Sequence, residues 1–419
     1  MTVLIAGAGI AGLTLGLTLH QVGVPFRVFE AVRALRPLGV GINLQPNAVR
    51  ELLDLGLGPD LDRIGVRTRQ YGFYSRTGRP IWEEPRGLAA GYRWPQYSIH
   101  RGRLQMLLAE TLVARAGTGC LVTGARAARF ETGADAARLH LTTEDGPRVE
   151  EGALIVAADG IHSALRAQMF PEEGPPIWKG AILWRGTTPA PEFFGGAAMA
   201  LAGHDSQRIV AYPISAPDPA TGLVTMNWIA ELRRDPGAGW NREDWNRRAD
   251  LADFAPAFAD WRFDWLDVPA LIAGAAEVYE YPMVDRDPLP RWTEGRVTLM
   301  GDAAHPTYPV GSNGASQAIV DARVIGAEVR RLGPTPAALA AYEAQVRPRT
   351  TAVGLANRGK GPDAVMQMVE DRCGGVFDDI EAVIPRAELA AHAEHYKRLA
   401  GFSIEALNAA PPILGPVEG

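Results

Sequence analysis

An α/β fold is predicted: a Rossmann-like sheet, interrupted by an inserted antiparallel sheet and followed by a helical tail. A glycine-rich turn joins a short apolar strand to a helix within the first twenty residues. Two more strand–turn–helix units follow far downstream, at 153–166 and 295–326. Between them lie segments rich in Trp, Tyr and Phe whose apolar residues alternate with the period of a strand.

The opening stretch, MTVLIAGAGIAGLTLGLTLH, has no charged side chain and meets the crude length for a membrane-spanning helix. Gly7, Gly9, Gly12 and Gly16 argue against that reading, and no basic region precedes the run as a secretory signal requires. TVLIA reads as a buried strand, and IAGLTLGLTLHQVG as a helix with small residues on one face. The turn between them, Gly7-Ala8-Gly9-Ile10-Ala11-Gly12, is a GxGxxG pattern. Its first glycine makes the tight turn, its second lets backbone approach a pyrophosphate, and its third lets helix pack on strand. The helix start, with Ala11 in its first turn, offers unpaired N–H groups and partial positive charge to phosphates. The next strand, PFRVFE, ends in Glu30, where a carboxylate bonds a ribose diol and repels a 2′-phosphate. The expected ligand of this loop is FAD or NAD.

The downstream units choose between the two. ALIVAADGIHSALR ends its strand at Asp159-Gly160, and GRVTLMGDAAHPTYPVGSNGASQAIVDARVIG ends its strand at Gly301-Asp302 before a helix beginning near Ser312. A fold for NAD alone uses one phosphate loop. FAD is longer, and its second ribose, pyrophosphate and ribityl chain must each be held. Asp302, at the carboxyl end of a strand, suits the ribityl hydroxyls. Gly311, Ser312, Asn313 and Gly314, at a helix start, suit the flavin N1–C2=O edge and the negative charge of reduced flavin.

GxGxxG, then DG with its helix, then GDAAHP is an ordered triple that resembles the single-component flavoprotein aromatic hydroxylases, the p-hydroxybenzoate and salicylate hydroxylase family. RPLGVGINLQPNAVRELLDLGLGP, QYSIHRGRLQ, VAYPIS and YPMVDRDPLPRW further resemble a phenazine-pathway flavin monooxygenase. The likeness spans roughly residues 1–357 and stops before the tail. It implies that Gly9, Glu30, Arg101 and Asp302 contact FAD. Asp159 belongs to a motif serving FAD and NAD(P)H, with a structural turn cap as the rival reading.

The motif positions divide the chain into an FAD-binding domain at 1–72, 98–178 and 272–356, a substrate-binding domain at 73–97 and 179–271, and a tail at 357–419. ILWRGTT, RIVAYPIS and LVTMNWIAEL read as antiparallel strands, which by the resemblance roof a pocket above the flavin. Residues 360–408 read as two helices packed on the body or on a second subunit. The end, NAAPPILGPVEG, reads as frayed.

The resemblance implies hydroxylation of an electron-rich aromatic or N-heteroaromatic small molecule through a flavin C4a-hydroperoxide. O₂ and NADH or NADPH are the co-substrates, with or without decarboxylation. Protein then supplies position, electrostatics and dryness. Pro306, in GDAAHP, is placed beside the reacting edge as a rigid ring without a proton donor. Tyr212 is the candidate base, ahead of His204, and His305 is read as an anchor of its loop. Trp184, Tyr212, Trp228 and Tyr308 are candidate pocket walls, against plain sheet core. Arg185 holds an acidic substrate group or pairs with a glutamate. The alternative is a non-hydroxylating FAD oxidoreductase, either a double-bond reductase or a redox-sensing flavoprotein. A flavin halogenase would carry WxWxIP, for which the nearest stretch is MNWIAEL.

Composition excludes other classes. The 419 residues are 47% apolar and 21% charged with a net charge of −6, which leaves no basic footprint for nucleic acid or anionic lipid. Cys120 and Cys373 stand far apart, against a disulfide framework and in keeping with a reducing cytoplasm. His392 and His395 lie in HAEHYKR, which reads as a charged, solvated helix rather than a metal site. A cytoplasmic monomer or homodimer without a membrane span is expected.

Overall fold

The computed structural model describes residues 2–235, 237, 247–359, 361–401 and 403–415. Its organising element is a six-stranded sheet built around Val3–Ala6, whose four residues are all buried. Val3–Ala6 pairs in parallel with Phe26–Phe29 on one side and Leu154–Ala157 on the other, and Leu154–Ala157 pairs in parallel with Val297–Leu299. Strands buried on both faces read as continuous apolar runs, as VLIA, LIVA and VTL do. The three turns foreseen from sequence therefore leave the same carboxyl edge of one sheet, where parallel α/β folds bind ligands. Helices Ile10–Gln21 and Gly314–Leu332 pack together, close enough that a side chain on Gly326 would collide with Thr18.

A second sheet has seven strands. Their order is Val278–Asp285, Ile177–Ala190, Val224–Arg233, Gln207–Pro213, Ala198–His204, Gln70–Tyr74 and Pro80–Pro85. All pairs are antiparallel except Gln70–Tyr74 with Ala198–His204. One face packs on a core containing Trp184, Trp228, Phe254 and Phe258. The other face lines a cavity together with Gly41, Ile42, Asn43 and the turns of the first sheet, and Gly41 donates its N–H to Asn227.

The tail packs on the body, one of the two placements expected, and differs from expectation in its number of helices, in the facing of HAEHYKR and in its held end. It forms three helices, Ala364–Cys373, Arg386–Ala400 and Ile404–Ala409, rather than two. It packs on its own chain: Val365, Met366, Val369 and Leu389 join Tyr71, Phe73, Met199 and Leu201 in one apolar cluster. HAEHYKR is consequently half inward-facing, with Tyr396 buried and His392 Nε2 2.9 Å from the Gly361 carbonyl. The proline-rich end is held rather than frayed as far as it is described. Arg330 donates to the Leu414 carbonyl at 2.7 Å, and Leu414 is buried; residues 416–419 lie outside the described residues. Among the described residues no helix is long and apolar enough to cross a membrane.

Candidate active site

The first turn is built from backbone. Gly7 has φ +102°, and a side chain there would collide with the Ala158 carbonyl of the second turn. A side chain on Gly12 would collide with the Gly7 carbonyl. Gly9 is different: an added Cβ meets nothing within 4 Å, because this glycine faces an open cavity. Glu30 Oε2 accepts the Ala8 N–H at 2.8 Å and Oε1 accepts the Val32 N–H at 3.0 Å. A carboxylate has about four acceptor positions, so two remain for a diol. Glu30 and Gly7 stand outside the lining of the main cavity.

In the second turn, Asp159 Oδ2 accepts the Ala164 N–H at 3.1 Å, capping the turn into the helix Ala164–Met169. Burial raises this carboxyl above its ordinary range. The neighbouring Gly160, not Asp159, lines the cavity. Arg101 begins the helix Arg101–Ala116, whose first N–H groups are capped by His100 Nδ1, and is exposed to the cavity.

The third turn carries Asp302, also exposed to the cavity. Its carboxyl is raised by desolvation, against the opposing pull of His305 and Arg101. His305 Nε2 lies 2.6 Å from Asp321 Oδ2, which also accepts the Gly301 N–H at 2.9 Å. Burial alone would lower the imidazole, but Asp321 raises it above its ordinary value. Further on, Ser312 takes φ +55°, an uncommon strain for a residue with a side chain. The Asn313 side chain turns away into the protein, donating to the Tyr396 hydroxyl at 2.7 Å. That hydroxyl donates to Asn357 Oδ1 at 2.8 Å. Gly314 begins its helix with open space where a side chain would stand.

Gly9, Ala11, Arg101, Asp302 and Gly311–Gly314 thus line one cavity of about 360 Å³. These groups fit the FAD they would hold: an open glycine face at a helix start, a cation, and a carboxylate at a strand end.

The roof is made by alternate residues of the seven-stranded sheet. Leu183, Met199, Leu201, Val210 and Ile229 give it an apolar lining, and Arg185 and Tyr212 face the cavity with them. Trp184 and Trp228 do not. Both are 0% exposed on the opposite face, where Trp184 stacks on Phe254 with ring centres 4.8 Å apart. Successive residues of a strand point to opposite faces, so Trp184 and Arg185 cannot share the pocket. Tyr308 is buried away from the cavity, near Asp285 and Arg358. Pro306 lines a separate small cavity with Trp292 and Arg358, whereas Thr307 and Pro309 line the main one. The rigid ring facing the site is Pro309, three residues later.

Arg185 donates to the Gly41 carbonyl at 2.9 Å and hydrogen-bonds the Tyr212 phenol. Its Nε is buried without a hydrogen-bond partner. The groups that act on its charge are Tyr212, Tyr281 and Arg101, so it pairs with no glutamate among the described residues. Burial pushes the Tyr212 phenol up to about 12, against the pull of Arg185. At neutral pH it is therefore a hydrogen-bonding phenol and not a resident phenolate base. Arg208, Glu231 and Asp363, three charged residues on the cavity wall, belong to no motif of the sequence. The alternation RIVAYP and WIAEL marks the facing of the first two. Asp363 belongs to the tail and carries no such signal.

The family described as FAD binding domain matches residues 1–213 and 275–354. Phenazine 1,6-dicarboxylic acid hydroxylase PhzS of Lysobacter antibioticus is 46% identical over 364 residues, 85% of this chain and 89% of the relative. The 3-amino-4-hydroxybenzoate 2-monooxygenase of Streptomyces cremeus is 34% identical over 359 residues, 83% and 84% of the two chains. Among solved structures, Klebsiella pneumoniae HpxO complexed with FAD and uric acid superposes with a TM-score of 0.74 at 25% identity, covering 98% of this chain and 97% of that one. A salicylate hydroxylase substrate complex has the same TM-score at 22% identity, covering 98% of each, a likeness of fold. With three turns converging on one cavity and relatives this similar over most of their length, the chain belongs to the FAD binding domain family, among its single-component FAD-dependent aromatic monooxygenases.

Proposed function

We propose that this chain hydroxylates an electron-rich aromatic or N-heteroaromatic carboxylic acid, consuming O₂ and NADH or NADPH, with loss of the carboxylate where it sits on the attacked carbon. The observation that carries this reading is the buried Arg185 guanidinium, which has no carboxylate partner among the described residues and lines the same cavity as the nucleotide turns, beside Leu183, Val210 and Ile229. The substrates named for the relatives, phenazine 1,6-dicarboxylic acid, 3-amino-4-hydroxybenzoate and 6-hydroxynicotinate, are aromatic acids of this kind.

Gly9, Ala11, Glu30, Arg101, Asp302 and the Gly311–Gly314 turn would hold FAD, within the domain expected at 1–72, 98–178 and 272–356 less the strands Gln70–Tyr74 and Val278–Asp285, which belong to the roof sheet. Bound there, FAD supplies electron storage and the activation of O₂. The roof does the rest. Leu183, Leu201, Val210 and Ile229 exclude water, which keeps the site dry and strengthens every charge inside it. Arg185 remains charged, since a guanidinium keeps its proton in proteins, and it fixes the substrate carboxylate. Tyr212, a neutral phenol bonded to Arg185, orients a ring hydroxyl by hydrogen bonding.

The test uses purified yellow holoenzyme. Aromatic acids should accelerate NAD(P)H oxidation, and labelled O₂ should appear as one added oxygen in the product. Oxidation of NAD(P)H without oxygen insertion for every aromatic acid would establish the non-hydroxylating alternative instead.

A further inference from the structure

We propose that Arg208, Glu231 and Asp363 form a specificity subsite that takes a hydrogen-bond donor of the substrate, a ring N–H, amine or hydroxyl, and rejects a second carboxylate. This deepens the proposed function and rests on it.

Strand pairing sets three rows across the roof. Asn227 opposes Tyr212 in the row beside Gly41, whose N–H Asn227 accepts at 2.6 Å. Two residues along, Arg185 opposes Ile229, Ile229 opposes Val210, and Val210 opposes Leu201. Two residues further, Leu183 opposes Glu231 and Glu231 opposes Arg208. One cavity thus has a polar row, an apolar row edged by Arg185, and a charged row farthest from Gly41.

The charged row carries a surplus of negative charge. Arg208 Nη1 pairs with Asp363, Nη2 lies 3.2 Å from Asp205, and Nε lies 3.4 Å from Glu231. Three carboxylates share one guanidinium. Asp363 occupies the N-cap position of the helix Ala364–Cys373, yet its side chain caps nothing there and is given to Arg208. Arg208 and Glu231 are 7% and 6% exposed, and Arg208 Nε has no partner in hydrogen-bonding geometry. Glu231 has the Arg208 guanidinium at 3.4 Å and outside hydrogen-bonding geometry, so a substrate N–H or O–H adds a donor that this buried carboxyl can use. A substrate carboxylate would instead add to the surplus, and like charges brought together at a binding surface suppress the wrong partner. Burial raises the Glu231 carboxyl, as this crowding requires.

Arg185 and Glu231 are diagonal neighbours on paired strands, with side chains rooted roughly 7–8 Å apart. The acid of the substrate at Arg185 and its donor at Glu231 therefore sit on opposite sides of the ring system. The class is an aromatic monocarboxylate bearing a donor remote from the acid. Asp363 comes from the tail, beyond the residues that the FAD binding domain family matches.

The test titrates holoenzyme with 4-aminobenzoate and with terephthalate, which differ only in the group opposite the acid. Binding is read by perturbation of flavin absorbance and by calorimetry. The amine should bind at least about ten-fold more tightly in the native protein. Glu231→Gln should narrow that ratio several-fold, and Asp363→Asn should move it in the same direction by less. An unchanged ratio in Glu231→Gln, or tighter binding of terephthalate by the native protein, overturns the subsite. So does a yellow protein that hydroxylates other aromatics and binds neither probe. A protein that holds no FAD overturns the function instead and is recognised by its lack of colour.

Discussion

The floor and the roof of the cavity are made by opposite means. The floor is shaped first by main chain: Gly7 and Gly12 clear space for packing, Gly9 leaves a face open, and Arg101 and Asp302 add one charge of each sign. The roof presents side chains, and whether a residue takes part depends on the parity of its position in a strand. Trp184 and Arg185 are neighbours in sequence with opposite fates, one in the core and one in the site. A backbone site needs glycine and therefore leaves a motif. A side-chain site needs only a register.

That contrast can be broken at several points, taken here from the largest expected effect downward. Gly9→Val should retain no FAD while the polypeptide keeps its thermal transition, since the new side chain meets only the cavity. Loss of folding, judged by circular dichroism, would contradict an open Gly9 face. Trp184→Ala should cost about 3–5 kcal/mol of stability in denaturant unfolding, with little change in KM at temperatures where it is folded. A raised KM with unaltered stability would put the indole in the pocket after all.

Tyr396→Phe tests whether the floor depends on the tail. The change leaves the buried Asn313 amide without its acceptor, a cost of about 1–3 kcal/mol. Faster FAD dissociation and altered flavin fluorescence are expected, beyond a simple fall in melting temperature. Arg185→Gln sharpens the roof. KM for aromatic acids should rise about ten-fold, the worth of one charge-assisted contact, while neutral phenols are little affected.

The smallest effect concerns the anchor beneath the floor. Asp321 raises the folded-state pKa of His305 above its ordinary 6.5. The protonated pair therefore stabilises the fold fully below that ordinary value, and the contribution is lost as pH rises through the raised one. Unfolding of native protein and His305→Asn should accordingly converge toward alkaline pH. Parallel pH profiles would show that the pair carries no proton-linked stability.

Much of the floor was legible in advance because its constraints are local. A glycine that must have positive φ, or a carboxylate at the end of a strand, shows itself within a few residues. Pro306 shows the limit even here: the third motif was recognised, but the turn carries Pro309 to the cavity and Pro306 to its far side. For the roof, aromatic content was a poor guide. Large rings fill the sheet's back face, where packing needs volume, and the front face is lined by aliphatic residues around Arg185 and Tyr212. The tail was least legible. Its apolar positions are few, and what they cover became evident only when Val365, Met366 and Leu389 were seen against Met199 and Leu201.

From sequence alone followed the α/β sheet and the long dinucleotide, because strand periodicity and glycine turns act over a few consecutive residues; the class of chemistry came with the family resemblance of the three motifs. Tertiary structure alone decided which face of each roof strand lines the cavity. It also decided that Tyr396 braces the Gly311–Gly314 turn and that Asp363 joins Arg208 and Glu231. Those contacts join residues tens to hundreds of positions apart, and only the packing of one element on another brings them within reach.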